Sequence, residues 1–273
     1  MPHALTLNSY IAWHLETLHE DLSSNEFRQR YELNQNALLL TVQQSTVLRH
    51  VIDLLDAHPE RTTAYNTSDV ILVKKPYDSL VDKLFRQNCL WNRHWPNAPS
   101  GGWRTHSNCF ETIDDILRTT IVCRFLDDPE FFSKQIALIA NADGLEASAS
   151  PRATDDGYYA WHTYVQIPSV VIGVDAVKNI TISIEFQLTT LLQYILKNLT
   201  HSFYEKRRIT PKRDRALDKW DFTTDSFKGT YLGHTLHLVD AMLVELREKA
   251  RADQLENARS RIIMALMQRS VNV

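Results

Sequence analysis

The sequence predicts a mixed fold, α/β or α+β, with a central sheet between helices at both chain ends. Three features lead there. In "ISIEFQLTT", residues 182–190, Ile182, Ile184, Phe186 and Leu188 alternate with Ser183, Glu185, Gln187 and Thr189. That is the period of a strand with one apolar face. Residues 5–22, 33–57 and 225–269 carry helical spacing, so helices dominate both ends. Between them, strand-like and helix-like segments alternate in a chain of 273 residues, long enough for one large domain or two small ones.

Taken in order, the second helical stretch has an apolar stripe through Leu38, Val42, Val47, Val51 and Leu55. The polar "HPERTTAYNTSD" leads to a short apolar run and then to "KKPYDSLVDKLFRQN", where a helix begins at Ser79. "WNRHWPNAPSGGWRTHSN" holds two prolines and a glycine pair and reads as a loop. "IDDILRTTIVCRF" gives a bend, then a strand with Ile121, Cys123 and Phe125 on one face. "DDPEFFSKQIALIANA" reads as a helix opened by Asp127 or Asp128, with Pro129 in its first turn. Residues 143–157 read as a polar loop, "YYAWHTYVQIP" as a strand, and "LLQYILKNLTHSFYEKRR" as a helix following the 182–190 strand.

Composition narrows the functional classes. Hydrophobic content of 44%, charged content of 23% and a net charge of −3 suit an ordinary globular protein. No apolar run approaches the roughly 20 residues of a membrane span, and no signal peptide is visible in "MPHALTLNSYIAWHLETLHED". Cys89, Cys109 and Cys123 lack C-x-x-C spacing and suggest free thiols in a reducing compartment, so a cytoplasmic location is expected. Neither a P-loop nor a dinucleotide fingerprint is present. A nucleotide would have to be held by side chains. The stretch "EKRRITPKRDR" concentrates Lys206, Arg207, Arg208, Lys212, Arg213 and Arg215. It suits either a solvated helix end or a patch for phosphates or an acidic partner.

Polar residues with chemical potential fall in four places. Lys75, Ser79 and Lys83 are spaced by four on a loop leading into a helix. They suit a polyphosphate at the helix N-terminus, or simply a solvated lysine face. Asp114 and Asp115 precede one strand, and Glu185 lies on another. Such acids could share Mg²⁺, which takes one or two carboxylates plus phosphates and waters; Asp114 and Asp115 would equally suit helix capping. Tyr158, Ala160, His162 and Tyr164 share a strand face just after Gly157, where a ring could stack on a base or fill a half-buried face. His234, His237 and Asp240, spaced by three, drift around a helix and make a poor metal set.

The succession of these motifs resembles the synthetase domain of the RelA/SpoT family, including its small, toxic, single-domain members. That pattern runs R-x-K-x-x-x-S-x-x-x-K, D-I-x-G-x-R, K-P-N-G-Y-R-S-x-H-T and E-I-Q-I-R-T. Here it reads "VKKPYDSLVDK", "DILRTT", "TDDGYYAWHT" and "EFQLTT", in the same order across residues 70–210. The resemblance implies a nucleotidyltransferase-type central mixed sheet within residues 61–215. Helices of 1–60 and 216–273 would pack on it as a single domain.

It also implies an ATP-dependent pyrophosphokinase, moving the β,γ-pyrophosphate to a ribose 3′-hydroxyl. By motif position, Asp115 and Glu185 look like the catalytic acids and Mg²⁺ ligands. Tyr158, His162 and Gln187 look like the acceptor side, and Lys75, Ser79 and Lys83 the ATP side. Five positions depart from the pattern here: Val73, Thr120, Tyr159 and Thr189 each stand where it has Arg, and Arg118 stands where it has Gly. Thr154, Asp155 and Asp156 replace K-P-N. With cations lost there, the expected acceptor is a tRNA 3′ end gripped by the basic stretch. A free purine nucleotide, giving (p)ppGpp or (p)ppApp, is the alternative acceptor. No hydrolase His-Asp motif is found, so a growth-inhibiting toxin with an antitoxin partner is expected. A catalytically dead nucleotide- or RNA-binding regulator is the remaining alternative.

Overall fold

The computed structural model describes residues 6–63, 70–173, 176–209 and 219–271, and for 201–209 and 264–271 the backbone alone. Three helices open the chain: α1 (Leu7–Leu18), α2 (Asn25–Gln43) and α3 (Thr46–Asp56). The helical period of 33–57 therefore spans two helices. The Ser45 hydroxyl accepts the Leu48 amide and caps the start of α3, a break that an uninterrupted apolar stripe does not reveal. Helix α4 (Tyr77–Phe85) starts after Pro76 and runs into a π-helical turn, Arg86–Leu90. A short α5 (Cys109–Thr112) precedes the main strands.

Among the described residues the sheet has five strands: β1 (Val73–Lys74), β2 (Leu117–Cys123), β3 (Ala147–Ala153), β4 (Tyr159–Ile172) and β5 (Val177–Thr190). Their order is β1-β2-β5-β4-β3, and only β2 with β5 is parallel. Helix α6 (Asp128–Ala142) follows β2 and packs on one face, here the back. Helices α7 (Leu191–Ile209) and α8 (Asp225–Val271) close the chain.

Two expectations change. Strand β2 ends at Cys123, so Phe125 lies beyond it. Strand β3 occupies part of the stretch read as a polar loop. Its residues, "ASASPRA", are small or polar, and proline at position 151 is tolerated because β3 is an edge strand.

The back face is the core. Leu117 and Ile121 of β2, Val165 of β4, and Ile184, Phe186 and Leu188 of β5 are buried against Phe132 and Ile136 of α6. A hydroxyl pair, Ser133 with Thr163 at 2.7 Å, sits in the same layer. The front of β5 is buried as well: Ser183, Glu185, Gln187 and Thr189 are each 7% exposed or less. The alternation in β5 thus separates an apolar core from a buried polar face.

Cys89, Cys109 and Cys123 are free and buried. Burial pushes the Cys89 thiol up to about 12, so it stays protonated and unreactive. Among the described residues, no helix is long and apolar enough to cross a membrane.

Candidate active site

Sheet register builds the site. Arg118, Glu185 and Tyr164 are partners across β2, β5 and β4; Thr120, Gln187 and His162 form the next row. Partnered residues share a face, so both rows lie on the front. Glu185 is the hub. Its Oε1 accepts the Tyr164 hydroxyl at 3.0 Å and lies 2.9 Å from His162 Nδ1, while its Oε2 accepts Gln187 Nε2 at 2.9 Å. The Tyr158 hydroxyl lies 3.0 Å from His162 Nε2, and Lys197 of α7 donates to Gln187 Oε1 at 2.7 Å. One chain of hydrogen bonds therefore runs from Tyr158 to Lys197 through the carboxylate. Burial alone would raise the Glu185 carboxyl, but the hydrogen bond and charge of His162 and the Gln187 amide hold it below its ordinary value. Burial beside that carboxylate pushes the Tyr164 hydroxyl up to about 12.

A second cluster stands next to it. Lys75 and Lys83 each place an ammonium 2.8 Å from a different oxygen of Asp115. The knot is held from behind by α2: the Tyr31 hydroxyl and Gln35 Nε2 both donate to the Lys75 carbonyl, at 3.0 and 2.9 Å. Lys75 N donates to Ile116 O at 3.0 Å, tying the loop before α4 to the start of β2. Burial opposes ionisation of Asp115, yet the two ammonium groups outweigh it and hold the carboxyl well below the usual range. The charge of Asp115 also reaches Glu185, so the two clusters share one electrostatic site.

A carboxyl depressed in the folded state stabilises fully above its unfolded value, about 3.9. That contribution is lost as pH falls through the folded value. Asp115 should therefore add to acid lability below about pH 4. Urea unfolding at pH 6 and pH 3 should show a loss about 1 kcal/mol smaller in Asp115→Asn than in the unaltered chain. Equal losses in the two proteins would mean that the ion pairs contribute nothing to folding.

The sheet and α4 thus bring together Asp115, Glu185, Lys75, Lys83, Tyr158, His162 and Gln187. Ser79 is half-buried one turn before Lys83 on α4, and no hydrogen bond involves its side chain among the described residues. Lys206, Arg207 and Arg208 belong to α7, but their side chains lie outside the described residues, and Lys212, Arg213 and Arg215 lie outside them altogether. Among the described residues, no group of three or more metal-ligating side chains converges. In particular, His234 and Asp240 turn to Tyr159 and Thr190. The acids of the site supply oxygen donors only. That suits Mg²⁺ held by one or two carboxylates together with phosphate, and a carboxylate bonded to two ammonium groups keeps further lone pairs.

Tyr159 changes the reading of the acceptor loop. It lies on the back-face side, away from Tyr158. Its ring stacks on His237 at 3.6 Å and 2°, and its hydroxyl lies 2.8 Å from His234 Nδ1. It fastens α8 and is not a cation missing from the cleft. Beside it, Gly157 (φ +78°) meets Gly233 of α8 backbone to backbone. Tyr164 and Lys197 join the network although no local motif marks them; register and the turn into α7 bring them in.

The same arrangement of sheet and helices occurs in small alarmone synthetase 1 from Bacillus subtilis. The match covers 83% of this chain and 96% of that one, with a TM-score of 0.51 at 20% identity. This chain has the small alarmone synthetase fold. A protein of Streptococcus mutans UA159 shares it, with 85% and 99% coverage, a TM-score of 0.51 and 16% identity. No protein-family model matches the sequence, and no curated protein matches it. The alarmone synthetase fold thus agrees with the RelA/SpoT-like motif order, although the sequences have diverged widely.

Proposed function

We propose that the protein is a pyrophosphokinase that moves the β,γ-pyrophosphate of ATP to the 3′-hydroxyl of a free purine nucleotide, as an alarmone synthetase does. One observation carries this reading. The four motif segments, distant in sequence, meet as the Lys75–Asp115–Lys83 knot beside the Glu185 network. In the reaction, Glu185 takes the 3′-hydroxyl proton. The freed oxygen attacks the β-phosphorus, the bond to the α-phosphate bridge breaks, and AMP leaves. Tyr158 stacks on the acceptor base, and His162, Tyr164 and Gln187 hold Glu185 in place. Lys75 and Lys83 neutralise donor phosphates. Transfer of this kind needs positioning and charge neutralisation more than covalent catalysis. Asp115 and Glu185 would hold Mg²⁺, which would supply further charge neutralisation on the phosphates.

A free nucleotide is favoured over a tRNA end because the acceptor side is not stripped of cations. Tyr159 belongs to the α8 contact, Lys197 reaches Gln187, and the charge of Arg152 on β3 acts on Tyr164. The test is incubation with γ-labelled ATP and GDP, GTP, AMP, ATP or deacylated tRNA. Label in a purine nucleotide is the expected result. Label in tRNA alone would move the acceptor to its 3′ end, and label in no acceptor would overturn pyrophosphoryl transfer. If the product accumulates in cells, expression should slow bacterial growth and Tyr158→Ala should relieve it. Unimpaired growth with soluble, active protein would remove the toxin reading.

A further inference from the structure

Lys75 and Lys83 are both committed to Asp115, so the knot carries only one net positive charge. A polyphosphate needs more. Two guanidinium groups lie within electrostatic reach of the knot, and among the described residues neither forms an ion pair. Arg118 lies on the front face in the row of Glu185, half-buried, and its charge acts on Lys75. In the pattern that this chain resembles, glycine stands at 118 and arginine at 120; here the two positions hold Arg118 and Thr120. Residues two apart in a strand share a face about 7 Å apart. The charge therefore stays on the front and moves along β2 towards Asp115.

Arg104 comes from the loop between the π-helical turn and α5. Asn88, within that turn and fully buried, grips its backbone twice: Arg104 N donates to Asn88 Oδ1 at 3.0 Å, and Asn88 Nδ2 donates to Arg104 O at 2.7 Å. A π-helical turn is rare and is often found at functional sites. With the backbone so fixed, the Arg104 Nε is buried and has no hydrogen-bond partner among the described residues. Buried donors are normally answered. Its charge acts on Asp114, the neighbour of Asp115.

We propose that Arg104 and Arg118 bind the polyphosphate of the donor, completing with Lys75 and Lys83 a ring of cations around Asp115. The donor's identity as ATP rests on the pyrophosphokinase reading; the polyphosphate site does not. A guanidinium fork pairs with two phosphate oxygens at once, which an ammonium cannot do. Asp114 and Glu185 are the acids on the same rim, so the ring discriminates against anions too weakly charged to outweigh them.

Calorimetric titration of the full chain with inorganic tripolyphosphate, and with a non-hydrolysable ATP analogue plus Mg²⁺, tests this. Arg104→Ala and Arg118→Ala should each weaken tripolyphosphate binding about tenfold, and Lys at either position should restore part of it. Arg104→Gln, which keeps the stem, should behave like the alanine variant, and thermal midpoints report folding. Affinities within twofold of the unaltered chain, or no tripolyphosphate binding by that chain, would overturn the proposal. Arginine-dependent binding of tripolyphosphate with no label transfer from ATP would instead retire the pyrophosphokinase reading and leave the site standing.

Discussion

Glu185→Gln is expected to cut pyrophosphoryl transfer by about 10²–10⁴-fold while leaving the fold in place, the range for losing a general base. The substitution preserves volume but removes the charge and replaces an acceptor oxygen with an amide donor. Glu185 Oε2 accepts from Gln187 and Oε1 from Tyr164. A glutamine there must set one N–H against a donor, or flip a neighbour to avoid it. Asp115→Asn should lower transfer by a similar order, on the order of 10²-fold or more. It should also lower the thermal midpoint, because Lys75 and Lys83 would lose their carboxylate in a largely buried setting. Initial rates with labelled ATP, measured alongside circular dichroism, decide the matter. Transfer within a few-fold of the unaltered rate in either folded variant would remove that residue from the mechanism.

Gly233→Ala should destabilise the protein, although alanine is favoured over glycine within a helix by about 1 kcal/mol. The reason is the seam between α8 and the acceptor loop. A Cβ on Gly233 would lie 2.3 Å from the Gly157 carbonyl oxygen, and one on Gly157 would lie 2.4 Å from the Thr230 carbonyl oxygen. Both obstacles are backbone, so neither side can swing aside. The helix must lift from the loop, which strains the Tyr159–His237 stack and the bond from Gln193 Nε2 to the Gly233 carbonyl at 2.8 Å. A net loss of about 2 kcal/mol is expected, in the range of overpacked cores. Urea denaturation measures it, and a variant more stable than the parent would show that the seam yields. Because Tyr158 follows Gly157 directly, the same variant should raise the KM for the acceptor more than that for ATP.

Parts of this molecule were legible in one dimension. Glu185 and Gln187 lie on a strand whose alternation is unbroken, and the spacing of Lys75, Ser79 and Lys83 is that of successive helical turns. Local periodicity therefore placed them, and the order of the segments placed them together. Tyr164 and Arg118 are visible in the sequence but not their partner: register across the sheet assigns them to Glu185, and no single segment encodes register. Strand β3 escaped because Ala147, Ser148, Ala149 and Ser150 carry too little apolar contrast to show a period of two. The strand period already puts Tyr159 on the face opposite Tyr158; what no local segment shows is that α8 covers that face, through the Tyr159–His237 stack.

Strand β5 has a parity. Its odd-numbered residues, Ser183, Glu185, Gln187 and Thr189, face the chemistry, and its even-numbered ones, Ile182, Ile184, Phe186 and Leu188, face α6. Because both sides are buried, neither set can be traded for solvent. Exchanging one residue for another alters a single position. Adding or deleting one residue ahead of Ile182 while β4 and β2 keep their places would exchange the two sets at a stroke, setting isoleucines against His162 and a carboxylate against Phe132. The residue count of this strand is therefore under a tighter constraint than its composition.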